Sequence, residues 1–262
     1  MLYWDTLSEA VSLAHREGYA PHFVETNCSF AVSDEIVQQR LVFLVTHGVK
    51  GVYASADPFH QEFIPAERFL RVRRFAKEIF GKNNFWGPDN SDVEIEGFRS
   101  IVDDEAQFRA YVRKRPLNIV GTAHRKLSQY LDKYSSHDRK LPARGWEGAT
   151  VVGGCSPAFE ADTMWELHID PYHNIQTNCG ILLGKVTEVN LSRLLAEGVC
   201  GSSYLMQTVC EKGPMGLAEL AHREYGFVIP EQVAQTCELC YLTRRFLHKF
   251  HPNVFGPGEI YR

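Results

Sequence analysis

Between residues 6 and 81 the chain alternates between helix-like and strand-like patterning, and that alternation restricts the available folds more than any other feature. Leu7, Val11 and Ala14 recur at helical spacing behind Thr6-Leu7-Ser8-Glu9, which has the form of a capping box, so a helix is expected from about residue 6 to Glu17, where Gly18 stops it. Residues 22–26 read as a short strand with Asn27, Cys28 and Ser29 at its carboxyl end. Ser33, followed by Asp34 and Glu35, starts a second helix that carries Ile36, Val37, Leu41, Leu44 and Val45 to Gly48. Residues 49–56 form the next expected strand. Pro65 then opens a helix with the stripe Phe69, Val72, Phe75, Ala76 and Ile79, closed by Gly81. Such short connections require parallel strands covered by helices, in a doubly wound sheet or a barrel.

The pattern loosens afterwards. Residues 93–95 and 100–102 read as strands, 103–113 as a helix, 117–123 as a buried strand and 125–134 as a helix. Residues 135–150 are polar and interrupted by Pro142, Gly145 and Gly148, a linker pattern. Beyond them, 151–155, 167–170 and 175–179 read as short strands, with Asn174 in the turn between the last two. Helices are expected at 191–196, 216–224 and 231–250. The expected organisation is an α/β unit over 1–140 and a small α+β, cysteine-rich unit over 150–262.

A chain of 262 residues, 44% hydrophobic and 23% charged, can bury a sizeable core. Its net charge of −4 and lack of a long Lys/Arg run argue against nucleic acid or an anionic membrane as the main partner. Arg68, Arg71, Arg73, Arg74 and Lys77 cluster, but without interleaved aromatics they read as a solvated helix face. No run approaches the roughly 18 apolar residues a membrane helix needs, and no signal pattern opens the sequence, so a cytoplasmic location is expected. Seven cysteines in such a location, two of them in Cys237-Glu-Leu-Cys240, point to metal or cluster ligation more than to disulfides.

Parallel α/β folds place ligands at the carboxyl ends of strands. The residues there are Thr26, Asn27 and Cys28, then Ser55, Asp57 and His60, then His124. A metal-dependent hydrolase would use Asp57, His60, Glu62, His124 and His22, although no H-E-x-x-H or H-x-H spacing supports it. No G-x-G-x-x-G follows any strand, which removes a dinucleotide site. Cys237 and Cys240 would share one side of a helix, and with Cys179 and Cys155 they would close a site for an iron–sulfur cluster or for zinc. Buried reduced thiols are the plain alternative, Cys200 and Cys210 are substitute ligands, and Cys28 belongs with the first unit.

Two groups of residues resemble the radical SAM family with a cysteine-rich C-terminal extension of the SPASM or twitch kind. One is Thr26-Asn27 at a strand end with GVYASADPFHQEFIP over 51–65, similar to the family's fourth strand and following loop. The other is Cys155-Ser156-Pro157, LHIDPYHNIQTNCGILLG over 167–184 and the late CELC, similar to the extension's hairpin and cluster ligands. The resemblance implies a partial parallel (β/α) barrel, lacking its first strands, followed by an auxiliary-cluster domain. It implies S-adenosylmethionine cleavage by a four-iron four-sulfur (4Fe-4S) cluster and hydrogen-atom abstraction. It also implies contact of Asn27, Ser55 and Asp57 with that cofactor, and an auxiliary cluster on Cys155, Cys179, Cys237 and Cys240. A peptide or protein substrate and a reductant such as a ferredoxin or flavodoxin follow by the same resemblance.

The family's C-x-x-x-C-x-x-C and Gly-Gly-Glu motifs are absent from these residues, so about two strands and one helix are expected to precede them, and the chain alone is expected to be inactive. A non-catalytic module with a structural four-cysteine zinc site is the expectation from another class. His173 stands where the extension has glycine, which predicts a histidine at positive φ.

Overall fold

The computed structural model describes residues 3–114, 122–137, 155, 158–164 and 166–261. It comprises two compact units, Met1–Tyr111 and Val112–Arg262. The strand expected over 117–123 falls mainly outside the described residues, as does most of the linker and all of strand 151–155 except Cys155.

In the first unit, α1 (Trp4–Arg16), β1 (Val24–Thr26), α2 (Asp34–Thr46), β2 (Val52–Ala54), α3 (Pro58–Gln61), α4 (Ala66–Ile79) and β3 (Phe85–Trp86) follow in order. The three strands form a parallel sheet in the order β1-β2-β3, with Thr26 paired to Ala54 and Tyr53 to Trp86. The period of two decides its faces. Thr26, Val52 and Ala54 are buried with Val37, Leu41, Phe69 and Val72, while Phe23 and Tyr53 on the other face are exposed. Ser33 caps α2 by accepting from the Ile36 amide, as its sequence implied. The Thr6 capping box is not used, because α1 begins two residues earlier and has no side-chain cap.

The strands expected at 93–95 and 100–102 are instead one helix, α5 (Asp92–Asp103), with a complete capping box between Ser91 and Glu94. Ile95 and Phe98 lie three apart and are both buried, so the apolar spacing here is that of a helix. α6 (Glu105–Lys114) follows. The arginine cluster on α4 is charge-paired: Arg71 and Arg74 reach Asp34, and Arg73 reaches Asp92.

The second unit contains α7 (Thr122–Leu127), β4 (Tyr134–Ser135), β5 (Leu167–Ile169), β6 (Asn174–Thr177), β7 (Leu182–Lys185), α8 (Leu191–Glu197), α9 (Tyr204–Tyr225), β8 (Gln232–Val233), α10 (Thr236–Leu247) and α11 (Pro252–Phe255). β5-β6-β7 is an antiparallel meander, and β4 pairs with β8. Gly213, at φ 65°, and Pro214 break α9, whose two halves enclose much of this unit's core with α10. A disulfide joins Cys200 to Cys210 and takes both out of consideration as ligands.

The β5–β6 turn is organised by Asp170, whose carboxylate accepts from the Tyr172 and Asn174 amides and from the Asn174 side chain. Asn174 is therefore the first residue of β6 rather than a turn residue. His173 sits at φ 63°, with its side chain exposed, as the sequence predicted. A left-handed conformation disfavours any residue with a Cβ. His173→Gly should raise the stability of the chain by up to about 1 kcal/mol, measured as a higher urea midpoint, whereas His173→Ala should give no gain.

Candidate functional site

The second unit brings Cys155, Cys179, Cys237 and Cys240 into one electrostatic neighbourhood. Cys179, Cys237 and Cys240 all act on the Cys155 thiol, and Cys179 and Cys237 act on Cys240. Three separate segments deliver them. The Cys155 amide donates to the Val209 carbonyl at 3.0 Å, one residue from the disulfide that holds that half of α9. Cys179 lies in the turn after β6, not within the strand. That turn is closed by Gly180 N–H to Thr177 O at 2.8 Å and relies on Gly180 at φ +85°, a conformation glycine adopts freely. Cys237 and Cys240 occupy the first two turns of α10, where the helix N-terminus favours thiolate over thiol. Glu238 between them turns aside to accept from Lys133 Nζ at 2.9 Å and from the Ala234 amide.

Burial pushes the Cys155 thiol well above 9.0, and mutual repulsion among the sulfurs adds to it. Burial likewise raises Cys240, to about 12, although the charge of Arg244 partly offsets the effect. Beside them Thr177 Oγ1 accepts from the Ile181 amide at 3.0 Å, which leaves its hydroxyl proton able to point at the Cys179 sulfur 3.2 Å away. Arg244, buried on α10, donates from Nη1 to the Cys179 carbonyl at 2.7 Å. Its Nε and the Tyr261 hydroxyl are buried without a hydrogen-bond partner among the described residues. Among the described residues, no three His, Cys, Asp or Glu side chains converge closely enough to hold a single metal ion as they stand. The donor set is soft sulfur, which suits an iron–sulfur cluster or zinc and not magnesium or calcium.

At the carboxyl edge of the first unit's sheet, the Ser55 amide donates to the Thr26 carbonyl at 3.0 Å, so the segments after β1 and β2 lie side by side. Asn27, Ser55 and Asp57 are thus at one end of the sheet. Asn27 Oδ1 accepts from the Ser29 amide, and Asp57 caps α3 by accepting from the His60 amide. The second Asp57 oxygen lies 2.8 Å from His60 Nδ1. Burial alone would raise the Asp57 pKa, but the His60 hydrogen bond and charge hold it below 3.8. That hydrogen bond raises His60 above 6.5 against the opposing effect of burial, with Glu25 contributing. The Ser29 hydroxyl is buried there without a partner. Cys28, fully buried and raised by that burial to about 12, is a core thiol of this unit.

Of the residues a hydrolase would use, Asp57 and His60 are together. His22 packs against Trp86, and His124 is buried against Tyr241 in the second unit. Sequence reasoning missed Arg244, Thr177, Tyr261, Glu25 and Ser29. Arg244 had a signal in its position four residues after Cys240, which puts both on one helix face. No family model matches the chain, and no curated protein matches it.

The Asp57–His60 pair predicts a stability profile with two limbs. Its contribution is complete between 3.8 and 6.5, declines as pH falls through the depressed Asp57 pKa, and declines as pH rises through the raised His60 pKa. His60→Gln should therefore lower the melting temperature at about pH 5.5, and the gap from wild type should close by about pH 9.

Proposed function

We propose that the second unit holds a 4Fe-4S cluster on Cys155, Cys179, Cys237 and Cys240, as the auxiliary site of a radical SAM enzyme acting on a peptide or protein side chain. The observation that carries this reading is that four thiols from three distant segments come within electrostatic reach of one another. The donor types suit the group. All four donors are sulfur, Cys237 lies in the first turn of α10, the Thr177 hydroxyl is 3.2 Å from the Cys179 sulfur, and Arg244 brings a positive charge to the site. A cluster there would supply one-electron transfer. The protein's own residues fix the thiolates, exclude water through the surrounding core, and orient the Cys179 turn through Arg244.

The first unit is read as part of a (β/α) barrel. Its open face, with Phe23, Glu25 and Tyr53 outward, is the one a barrel would turn to its interior. Asn27, Ser55 and Asp57 at the carboxyl edge would contact S-adenosylmethionine, with Asp57 held ionised by His60. These 262 residues contain no C-x-x-x-C-x-x-C, so on this reading the chain does not cleave the cofactor unaided. A ferredoxin or flavodoxin would supply electrons in the cytoplasm, where the Cys200–Cys210 disulfide would be an exception among otherwise reduced thiols.

Anaerobic reconstitution with iron and sulfide tests the assignment. About four irons per chain are expected, with the loss of most of them in Cys179→Ala and Cys240→Ala but not in Cys28→Ala. Stoichiometric zinc with no iron would replace the cluster by a structural zinc site, and full iron retention in the Cys179 variant would remove the assignment.

A further inference from the structure

We propose that Arg244 is the built-in counter-charge of the four-cysteine site, stabilising an anionic metal–thiolate occupant and raising its reduction potential. This rests on the cluster reading above. Arg244 is 4% exposed, follows Cys240 by one helical turn, and donates from Nη1 to the Cys179 carbonyl at 2.7 Å. Among the described residues its Nε is buried without a hydrogen-bond partner and no carboxylate forms an ion pair with it, although the side chain also hydrogen-bonds Cys240. A guanidinium does not shed its proton, so a buried one requires negative charge nearby. The groups whose charge reaches it are Cys240, Tyr261, Cys179 and Cys237. None of these groups is a carboxylate. Four ligating thiolates outweigh the charge of the metal core they hold, and the resulting anion supplies what Arg244 lacks.

The counter-charge also has a direction. Reduction adds a negative charge to the occupant, and a fixed cation in a low-dielectric interior favours the reduced state. The Tyr261 hydroxyl, buried without a hydrogen-bond partner among the described residues, lies within electrostatic reach of Arg244, Cys240 and Cys179.

The test compares full-length wild type, Arg244→Met and Arg244→Lys, each anaerobically reconstituted with iron and sulfide. The readouts are a redox titration followed by electron paramagnetic resonance and the melting temperature with and without the cluster. Arg244→Met should shift the one-electron reduction equilibrium about tenfold toward the oxidised form, a potential lower by about 59 mV, while Arg244→Lys keeps most of the wild-type value. The stabilisation brought by cluster loading should shrink in Arg244→Met, and its unloaded form should melt no lower than unloaded wild type. An unmoved potential, an Arg244→Lys value as low as that of Arg244→Met, or equal destabilisation of loaded and unloaded Arg244→Met would overturn the proposal. Failure of unloaded Arg244→Met to fold would also overturn it, because the residue would then be structural. Wild type that takes up no iron defeats the cluster reading itself, before any variant is compared, and this inference with it.

Discussion

A charged guanidinium inside the second unit sets the terms for what surrounds it. Arg244 bonds to the carbonyl of Cys179, so α10 and the turn after β6 are fixed against each other by one strong, directional, charge-assisted contact. The turn is closed within itself by hydrogen bonds between Thr177 and both Gly180 and Ile181, and α10 carries its cysteines in its first two turns. The contact joins two separately encoded cysteine segments, and Cys155, hydrogen-bonded to α9, is within electrostatic reach of both.

The meander that delivers Cys179 depends on backbone conformations that side chains resist. Gly180 meets its requirement freely, while His173 adopts φ 63° with a side chain exposed to solvent. Asp170 holds that turn through three hydrogen bonds, so the geometry is imposed by the acceptor and not by the residue at the strained position. A histidine can therefore stand there without shifting the register in which Leu167 faces Thr177 and Ile169 faces Ile175. The register matters because Ile175 and Thr177 are buried, and a slip of one residue would expose both.

Local rules were legible in the sequence where one signal dominated. Ser33 before Asp34 and Glu35 marked the start of α2, and the stripe beginning at Phe69 marked α4, because caps and period reinforce each other there. Residues 92–103 misled because Val93, Ile95, Ile101 and Val102 are β-branched. The Ser91–Glu94 box and the burial of Ile95 with Phe98 outweighed that propensity. β3 has only two residues and no alternation to read, and only its pairing with β2 defines it. The four cysteines could be named as a set from type and spacing. Arg244 could not be named as their partner, since its role rests on burial and on a carbonyl 65 residues earlier in the chain.

The two candidate sites differ in how completely they satisfy themselves. At the sheet edge of the first unit, Asp57 accepts from the His60 amide and pairs with its ring, and Asn27 accepts from Ser29, so nearly every polar group there is already engaged. A ligand at that edge must compete with those internal bonds, which favours one presenting several donors and acceptors at once. The four-cysteine site has the opposite character, because it combines raised thiols with a cation that lacks both a carboxylate and a partner for one nitrogen. A buried cation left in that state raises the free energy of the folded chain, and an occupant of the proposed kind would remove part of that cost. Binding there is therefore coupled to the stability of the whole second unit, whereas binding at the sheet edge need perturb only a turn and one helix cap.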